Sequence, residues 1–207
     1  MIFDLDGTLV DSYPGILQSL NETLRHLGRP SVDLPGVKRM VGRGVENLMQ
    51  QAAGERWQEA LTFFRESYNR THLTGSTLMP DVQRILQALR ERGTLLGVAS
   101  NKPPEYTRNI LKHLQIDVFF QDVCGPDGSI QPKPHPSMLT HVMEHLGVSA
   151  DQTLYVGDMA LDAETAHNAK VAVALIPGGG ATLVELQAAH PDYLLLKFDD
   201  VLSLVTS

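Results

Sequence analysis

Apolar positions along this chain fall into two textures. From about Tyr13 to Leu78 they recur every three or four residues, the period of a helix with one buried face, and no strand pattern interrupts them. Ile16, Leu17, Leu20, Leu24 and Leu27 make one such face, ended by Gly28. Val45, Leu48, Met49 and Ala52 make a second, ended by Gly54, and Trp57, Ala60, Leu61, Phe64 and Tyr68 a third. This block reads as a small helical bundle.

From Pro80 onward the pattern alternates. Val82, Ile85, Leu86 and Leu89 predict a helix closed by Gly93, and TLLGVAS predicts a buried strand. A helix over Tyr106, Ile110, Leu111 and Leu114 follows, then a short apolar run at Val118–Val123 and a tight reversal at GPDGSI. Met138, Leu139, Val142, Met143 and Leu146 mark another helix, stopped by Gly147. After it come strand TLYV, helix DAETAHNA, strand VAVALI, helix TLVELQAA and a last strand, YLLL. Strands alternating with helices imply a parallel sheet covered on both faces. Met1, Ile2 and Phe3 supply one more strand, ended by the turn at Gly7-Thr8. The helical block is then an insertion just behind that first strand, where a lid would sit.

Composition narrows the function. Of the 207 residues, 43% are apolar and 20% charged, ordinary values for a folded protein. The net charge of −7, with no Lys/Arg run, argues against a nucleic-acid partner, because phosphate backbones are bound through clustered positive charge. No apolar stretch approaches the roughly 20 residues that span a bilayer, so no membrane association is expected. The single cysteine, Cys124, fits a reducing compartment and reads as a small, partly buried filler. A cytoplasmic monomer or homodimer is the expectation. The eight histidines show no metal-ligand spacing, and His141 with His145 reads as an exposed helix face.

Three strands run into chemically suggestive residues. The first ends in Asp4-Leu5-Asp6-Gly7-Thr8, the second in Ser100-Asn101-Lys102, and a later one in Gly157-Asp158, with Asp162 four residues on. Between them Lys133 stands between Pro132 and Pro134. Singly, each has a plain reading: an Asx turn, a helix cap, a solvated lysine. Together they place carboxylates, a hydroxyl and a lysine at the carboxyl edge of one sheet, where open α/β sheets bind ligands.

The order DxDGT, then Ser-Asn, then a proline-flanked lysine, then GDxxxD resembles the haloacid-dehalogenase-like superfamily of aspartate-dependent phosphatases, along the whole chain. The wording VGRG (Val41–Gly44), SNKP and KPHP is most similar to its phosphoglycolate phosphatases. The resemblance implies an α/β fold with a Rossmann-like parallel core over residues 1–12 and 79–207, and a small all-helical cap over 13–78. One departure is visible: only three apolar residues precede Asp4, fewer than is usual in that superfamily.

The resemblance also implies roles. Asp4 would attack phosphorus, forming an aspartyl-phosphate, and Asp6 would act as general acid, then base. Mg²⁺, a hard ion suited to oxygen ligands, would be held by the Asp4 carboxylate, the Asp6 backbone carbonyl and Asp158. Thr8, Ser100 and the Asn101 backbone N–H would contact the phosphoryl group, with Lys102 a further anion contact. Lys133 would balance charge on Asp4. Gly157 and Asp162 would support the site, Asp162 by orienting Lys133 or a metal-bound water. On the cap, Arg43 between Gly42 and Gly44 is a candidate to reach a substrate carboxylate, its plain alternative being a surface turn residue. The expected substrate is a small phosphorylated metabolite. Alternatives are a phosphomutase of the β-phosphoglucomutase type and a catalytically silent phosphate-binding protein. A dehalogenase is disfavoured by the presence of Asp6.

Overall fold

The computed structural model describes residues 1–205. The chain enters through β1 (Ile2–Phe3) and β2 (Val10–Asp11), then forms four helices, α1 (Tyr13–His26), α2 (Leu34–Met40), α3 (Val45–Ala53) and α4 (Trp57–Thr71). It returns through β3 (Thr77–Leu78). An alternating run follows: α5 (Val82–Glu91), β4 (Gly97–Ala99), α6 (Pro104–His113), β5 (Asp122–Cys124), α7 (Ser137–Leu146), β6 (Leu154–Gly157), α8 (Ala160–Ala169), β7 (Ala172–Leu175), α9 (Leu183–Ala188) and β8 (Tyr193–Leu194).

Six strands form one parallel sheet in the order β5-β4-β1-β6-β7-β8. The alternation of side chains along each strand feeds two cores. Ile2, Ala99, Tyr155, Val173 and Leu175 face one, closed by Met138, Leu139 and Val142 of α7, Ala163 and Ala166 of α8 and Leu186 of α9. Phe3, Val98, Val156 and Ala174 face the other, against Val82, Ile85, Leu86 and Leu89 of α5 and Ile110 and Leu111 of α6. With both faces covered, the strands read as unbroken apolar runs. Each large side chain buried this way contributes about 1.5–3 kcal/mol of transfer free energy.

β1 is short but central: Ile2 and Phe3 pair with Gly97 and Val98 on one side and Tyr155 and Val156 on the other. The Asp4 amide adds one more rung by donating to the Val156 carbonyl at 2.9 Å. The expected helical block has its own core, with Ile16, Leu20 and Leu24 of α1 packed on Leu48 and Met49 of α3 and Phe64 and Tyr68 of α4.

Local details differ from the sequence pattern. The stretch to Leu78 is not wholly helical, because β3 pairs antiparallel with β2 and joins the helical unit to the sheet. A ribbon two residues long is too short to show a period. α2, which carries no apolar face in the sequence reading, begins at Leu34-Pro35-Gly36, where Asp33 caps it by accepting the Gly36 amide at 2.8 Å. The apolar run at Val118–Val123 splits into a 3₁₀ turn over Asp117–Phe119 and the strand β5, and only Tyr193–Leu194 of the last run pairs. Cys124 is buried in the core that Ile2, Ala99 and Tyr155 face, and that burial pushes its thiol up to about 12, so it stays protonated.

Candidate active site

The loop after β1 is wound tightly. The amides of Leu9 and Val10 both donate to the Leu5 carbonyl at 3.0 Å, and Gly7 takes a left-handed φ of 84°. That winding turns Asp4 and Asp6 upward at the sheet's carboxyl edge, where they line a cavity of about 80 Å³ under the helical unit. Ser100, Asn101 and Lys102, just beyond β4, complete its floor. Its walls are Ile16, Val41, Val45, Leu48, Phe64, Tyr68, Tyr106 and Met159, an apolar set in which Arg65 is the lining cation from the helical unit.

Beneath the floor lies a buried ionic cluster. Lys133 Nζ lies 3.0 Å from Asp4 Oδ1, 2.7 Å from Asp162 Oδ1 and 2.9 Å from the Tyr155 hydroxyl. Burial alone would lower the lysine's pKa, but the carboxylates of Asp162 and Asp4 outweigh it and hold the group charged. Asp162 is fully committed: Oδ1 accepts from Lys133 and Tyr155, while Oδ2 accepts the amides of Asp158 and Met159 at 3.1 and 3.0 Å. The last two contacts place a carboxylate at the N-terminus of α8, a favourable position for negative charge. Gly157 makes this possible, since a side chain there would collide with Asp162.

Asp158 is different. Its Oδ1 accepts the Thr8 hydroxyl at 3.0 Å, but Oδ2 is buried with no partner. A Cβ on Gly7 or Gly179 would collide with that oxygen, so two glycines keep it uncovered. Burial, then the charges of Asp162 and Asp4, push its pKa well above the carboxylate range. Asp4 Oδ1 likewise has no directed hydrogen bond despite its proximity to Lys133. A buried carboxylate oxygen without a donor, as on Asp158, costs free energy unless a cation meets it, and of this pair Lys133 meets only Asp4. Asp4, Asp158 and Asp162 offer oxygens within 4.8 Å of one another. Since Asp162 already accepts four hydrogen bonds, Asp4 and Asp158 are the pair that fits a hard divalent ion.

The second floor pair is Asp6 with Lys102. Lys102 Nζ lies 3.0 Å from Asp6 Oδ2 and donates to the Tyr68 hydroxyl at 2.7 Å; Ser12 donates to Asp6 Oδ1. Burial works against the Lys102 charge, and Asp6 together with Tyr68 overcomes it. The Asn101 side chain is spent on two contacts: Oδ1 accepts the Lys133 amide at 2.7 Å and Nδ2 donates to the Gly42 carbonyl at 2.9 Å. It thus ties the lysine loop to the helical unit. Thr8 is fully buried with its hydroxyl spent on Asp158.

The structure therefore brings Asp4, Asp6, Ser100, Asn101, Lys102, Lys133, Asp158 and Asp162 together. It does not bring Arg43 with them: that side chain is exposed and absent from the cavity lining. Residues missed in the sequence are Tyr155, Tyr68 and Arg65. The tyrosines sit in apolar periodic runs, and only their hydroxyls reveal the site.

Lys133→Met is expected to lower folding stability by roughly 3–5 kcal/mol, because removing one partner strands buried carboxylates. Urea denaturation measures this. Adding Asp162→Asn is expected to return part of the loss, and a single variant with parental stability would refute the ionic account.

An all-parallel sheet with a carboxylate-lysine cluster at its carboxyl edge, roofed by an inserted helical unit, defines an α/β enzyme acting on an anionic ligand. Comparison with known proteins makes the class specific. Residues 1–176 match the family model described as haloacid dehalogenase-like hydrolase, and the chain belongs to that family. It is 38% identical over 191 residues to the phosphoglycolate phosphatase of Rhodospirillum rubrum, covering 86% of this chain and 79% of that protein. It is 33% identical over 208 residues to the phosphoglycolate phosphatase of Yersinia pestis, covering 97% and 90%. Among solved structures, a predicted phosphoglycolate phosphatase from Haemophilus somnus superposes with a TM-score of 0.89 at 29% identity, over 99% of this chain and 96% of that one.

Proposed function

We propose that the enzyme is a Mg²⁺-dependent phosphomonoesterase that works through an aspartyl-phosphate on Asp4, with phosphoglycolate or a similarly small phosphorylated acid as substrate. The observation that carries the metal-assisted chemistry is the buried, unpartnered Asp158 Oδ2 close to Asp4, whose Oδ1 has Lys133 beside it. Mg²⁺ bound by these two carboxylates and the Asp6 carbonyl would supply charge neutralisation for a dianionic ester.

The protein's own groups divide the remaining work. Asp4, held by its amide to Val156, presents a carboxylate oxygen to phosphorus from a rigid strand end. Lys133 offsets the charge gathered on Asp4 and the transferring group. Ser100, nearly fully buried at the cavity floor, offers a hydroxyl for a phosphoryl oxygen. Asp6 gives a proton to the departing alcohol and takes one from the attacking water. Lys102, drawn from Asp6 toward the incoming anion, frees the Asp6 oxygen it covers. Residues 13–78 act as the cap that closes over this floor and excludes bulk water.

The small cavity and the names of the relatives support a small acid as substrate. The apolar walls give a sugar few hydrogen-bonding groups, which favours hydrolysis of a small ester over sugar-phosphate mutase chemistry. Arg65 replaces Arg43 as the cap cation for a carboxylate. Its pair with Glu46, at 3.0 Å, is exposed on both sides and is worth at most about 1 kcal/mol, so releasing it is inexpensive.

Phosphate release from a panel of esters, with and without Mg²⁺, tests the reading. Arg65→Ala is expected to lower kcat/KM for phosphoglycolate by about ten- to a hundredfold relative to an aryl phosphate, the scale of one charge-assisted contact. Arg43→Ala is expected to leave that ratio unchanged. An unchanged ratio in Arg65→Ala would remove the carboxylate contact, and activity without any divalent ion would remove the metal.

A further inference from the structure

We propose that Asp122, His141 and His145 form a second metal site, on the outer edge of the sheet, for a borderline transition ion such as Zn²⁺. His141 and His145 stand one turn apart on α7 and therefore share a face. Asp122 opens β5, the edge strand, and belongs to a different element, so no spacing along the chain announces the trio.

The geometry is close to that of a coordination shell. Asp122 Oδ2 lies 3.2 Å from His145 Nδ1 and 3.7 Å from His141 Nε2. The three residues each present a ligand atom within 4.8 Å of the others. In a tetrahedral zinc site with bonds of about 2.0–2.1 Å, ligand atoms stand roughly 3.3 Å apart. Small side-chain rotations therefore suffice to admit the ion.

Two features prepare the arrangement. Asp122 Oδ1 accepts the Val123 amide at 2.9 Å, which fixes the carboxylate and leaves Oδ2 facing the histidines. Gly97, paired with Asp122 in the sheet, has no side chain; a Cβ there would collide with Val142. That gap lets α7 settle close enough for His141 and His145, which flank Val142 on the helix, to reach the edge strand. The imidazoles meet edge to face, with centroids 4.1 Å apart and planes at 79°. His145 is exposed, so water can complete the shell.

The donor set distinguishes this site from the catalytic one. Two imidazoles and one carboxylate suit Zn²⁺, Ni²⁺ or Cu²⁺, whereas Mg²⁺ prefers an all-oxygen shell. Its place also differs. Asp122 is in register with Gly97 and Ile2, at the amino ends of the strands, whereas Asp4, Ser100 and Asp158 lie at the carboxyl ends. A bound ion would clamp α7 to β5 without touching the substrate floor.

Calorimetric titration of the full chain with Zn²⁺, after chelator treatment and in excess Mg²⁺, tests this. The parent is expected to bind one more equivalent than His141→Ala/His145→Ala and to melt a few degrees higher with Zn²⁺ present. Co²⁺ in its place is expected to give the visible absorption of a tetrahedral nitrogen-oxygen site, absent in the double variant. His145→Gln, a milder change at an exposed position, is expected to weaken binding at least tenfold, with Mg²⁺-dependent hydrolysis unchanged. Equal stoichiometry and affinity in parent and variants would overturn the proposal and leave an Asp-His hydrogen-bonded cluster.

Discussion

Asp4→Asn is expected to abolish turnover and, with it, any acid-stable transfer of labelled phosphate from substrate to protein. The substitution preserves shape and leaves the rung from the residue-4 amide to Val156 in place, so the strand end does not move. What changes is nucleophilicity: a neutral amide oxygen beside Lys133 Nζ has neither the charge nor the lone-pair basicity to attack phosphorus. The fold is expected to survive. Asp4 adds to the repulsion that Asp158 feels from its buried neighbours, so neutralising it relieves part of that strain while Lys133 keeps Asp162. Thermal denaturation should therefore show a midpoint no lower than about a few degrees below the parent. Steady-state phosphate release and acid-quenched labelling measure the chemistry. Activity within tenfold of the parent, in protein that melts normally, would mean that another group attacks.

The framework was legible because its physics is local or periodic. Strands buried on both faces give unbroken apolar runs, and helices beside them give a period near 3.6, so the alternation after Pro80 predicts the parallel sheet that forms. The floor was legible because its carboxylates, serine and lysine sit where those runs stop. What stayed hidden depends on side chains meeting from distant elements. Tyr155 belongs to a buried strand and counts as apolar, yet its hydroxyl lies 2.9 Å from the Ala99 carbonyl and beside Lys133. Asn101 enters the sequence reading only through its backbone amide, whereas the structure adds a side-chain bridge from Lys133 to Gly42 that no local pattern announces. The helical unit was the least legible part. A Gly-Arg-Gly loop draws the eye to Arg43, but α3 and α4 decide which cation faces the cavity, and they select Arg65. Asp122 likewise acquires its meaning only when the sheet edge meets α7.

Asp6→Asn is expected to separate substrates by their leaving groups. Asp6 lines the cavity half-buried, with Ser12 on one oxygen and Lys102, 3.0 Å away, on the other. An amide there can still accept from Ser12 but cannot protonate a departing alkoxide. General acid catalysis typically contributes about 10²–10⁴-fold, and that contribution fades as the leaving alcohol becomes more acidic. For an alkyl ester such as phosphoglycolate, kcat/KM should fall through that whole range; for a nitrophenyl phosphate the loss should be about tenfold or less. Removing the Asp6 charge also unbalances Lys102, which then rests on Tyr68 alone. That disturbance alters phosphate binding alike for every ester, so it shifts the whole series without tilting it. The diagnostic quantity is thus the slope of log kcat/KM against leaving-group pKa, which should be steeper in Asp6→Asn than in the parent. A Lys102→Met variant supplies the contrast, expected to lower all members together and leave the slope unchanged. Parallel loss across the series in Asp6→Asn would assign Asp6 to positioning Lys102, and the proton would have to come from elsewhere.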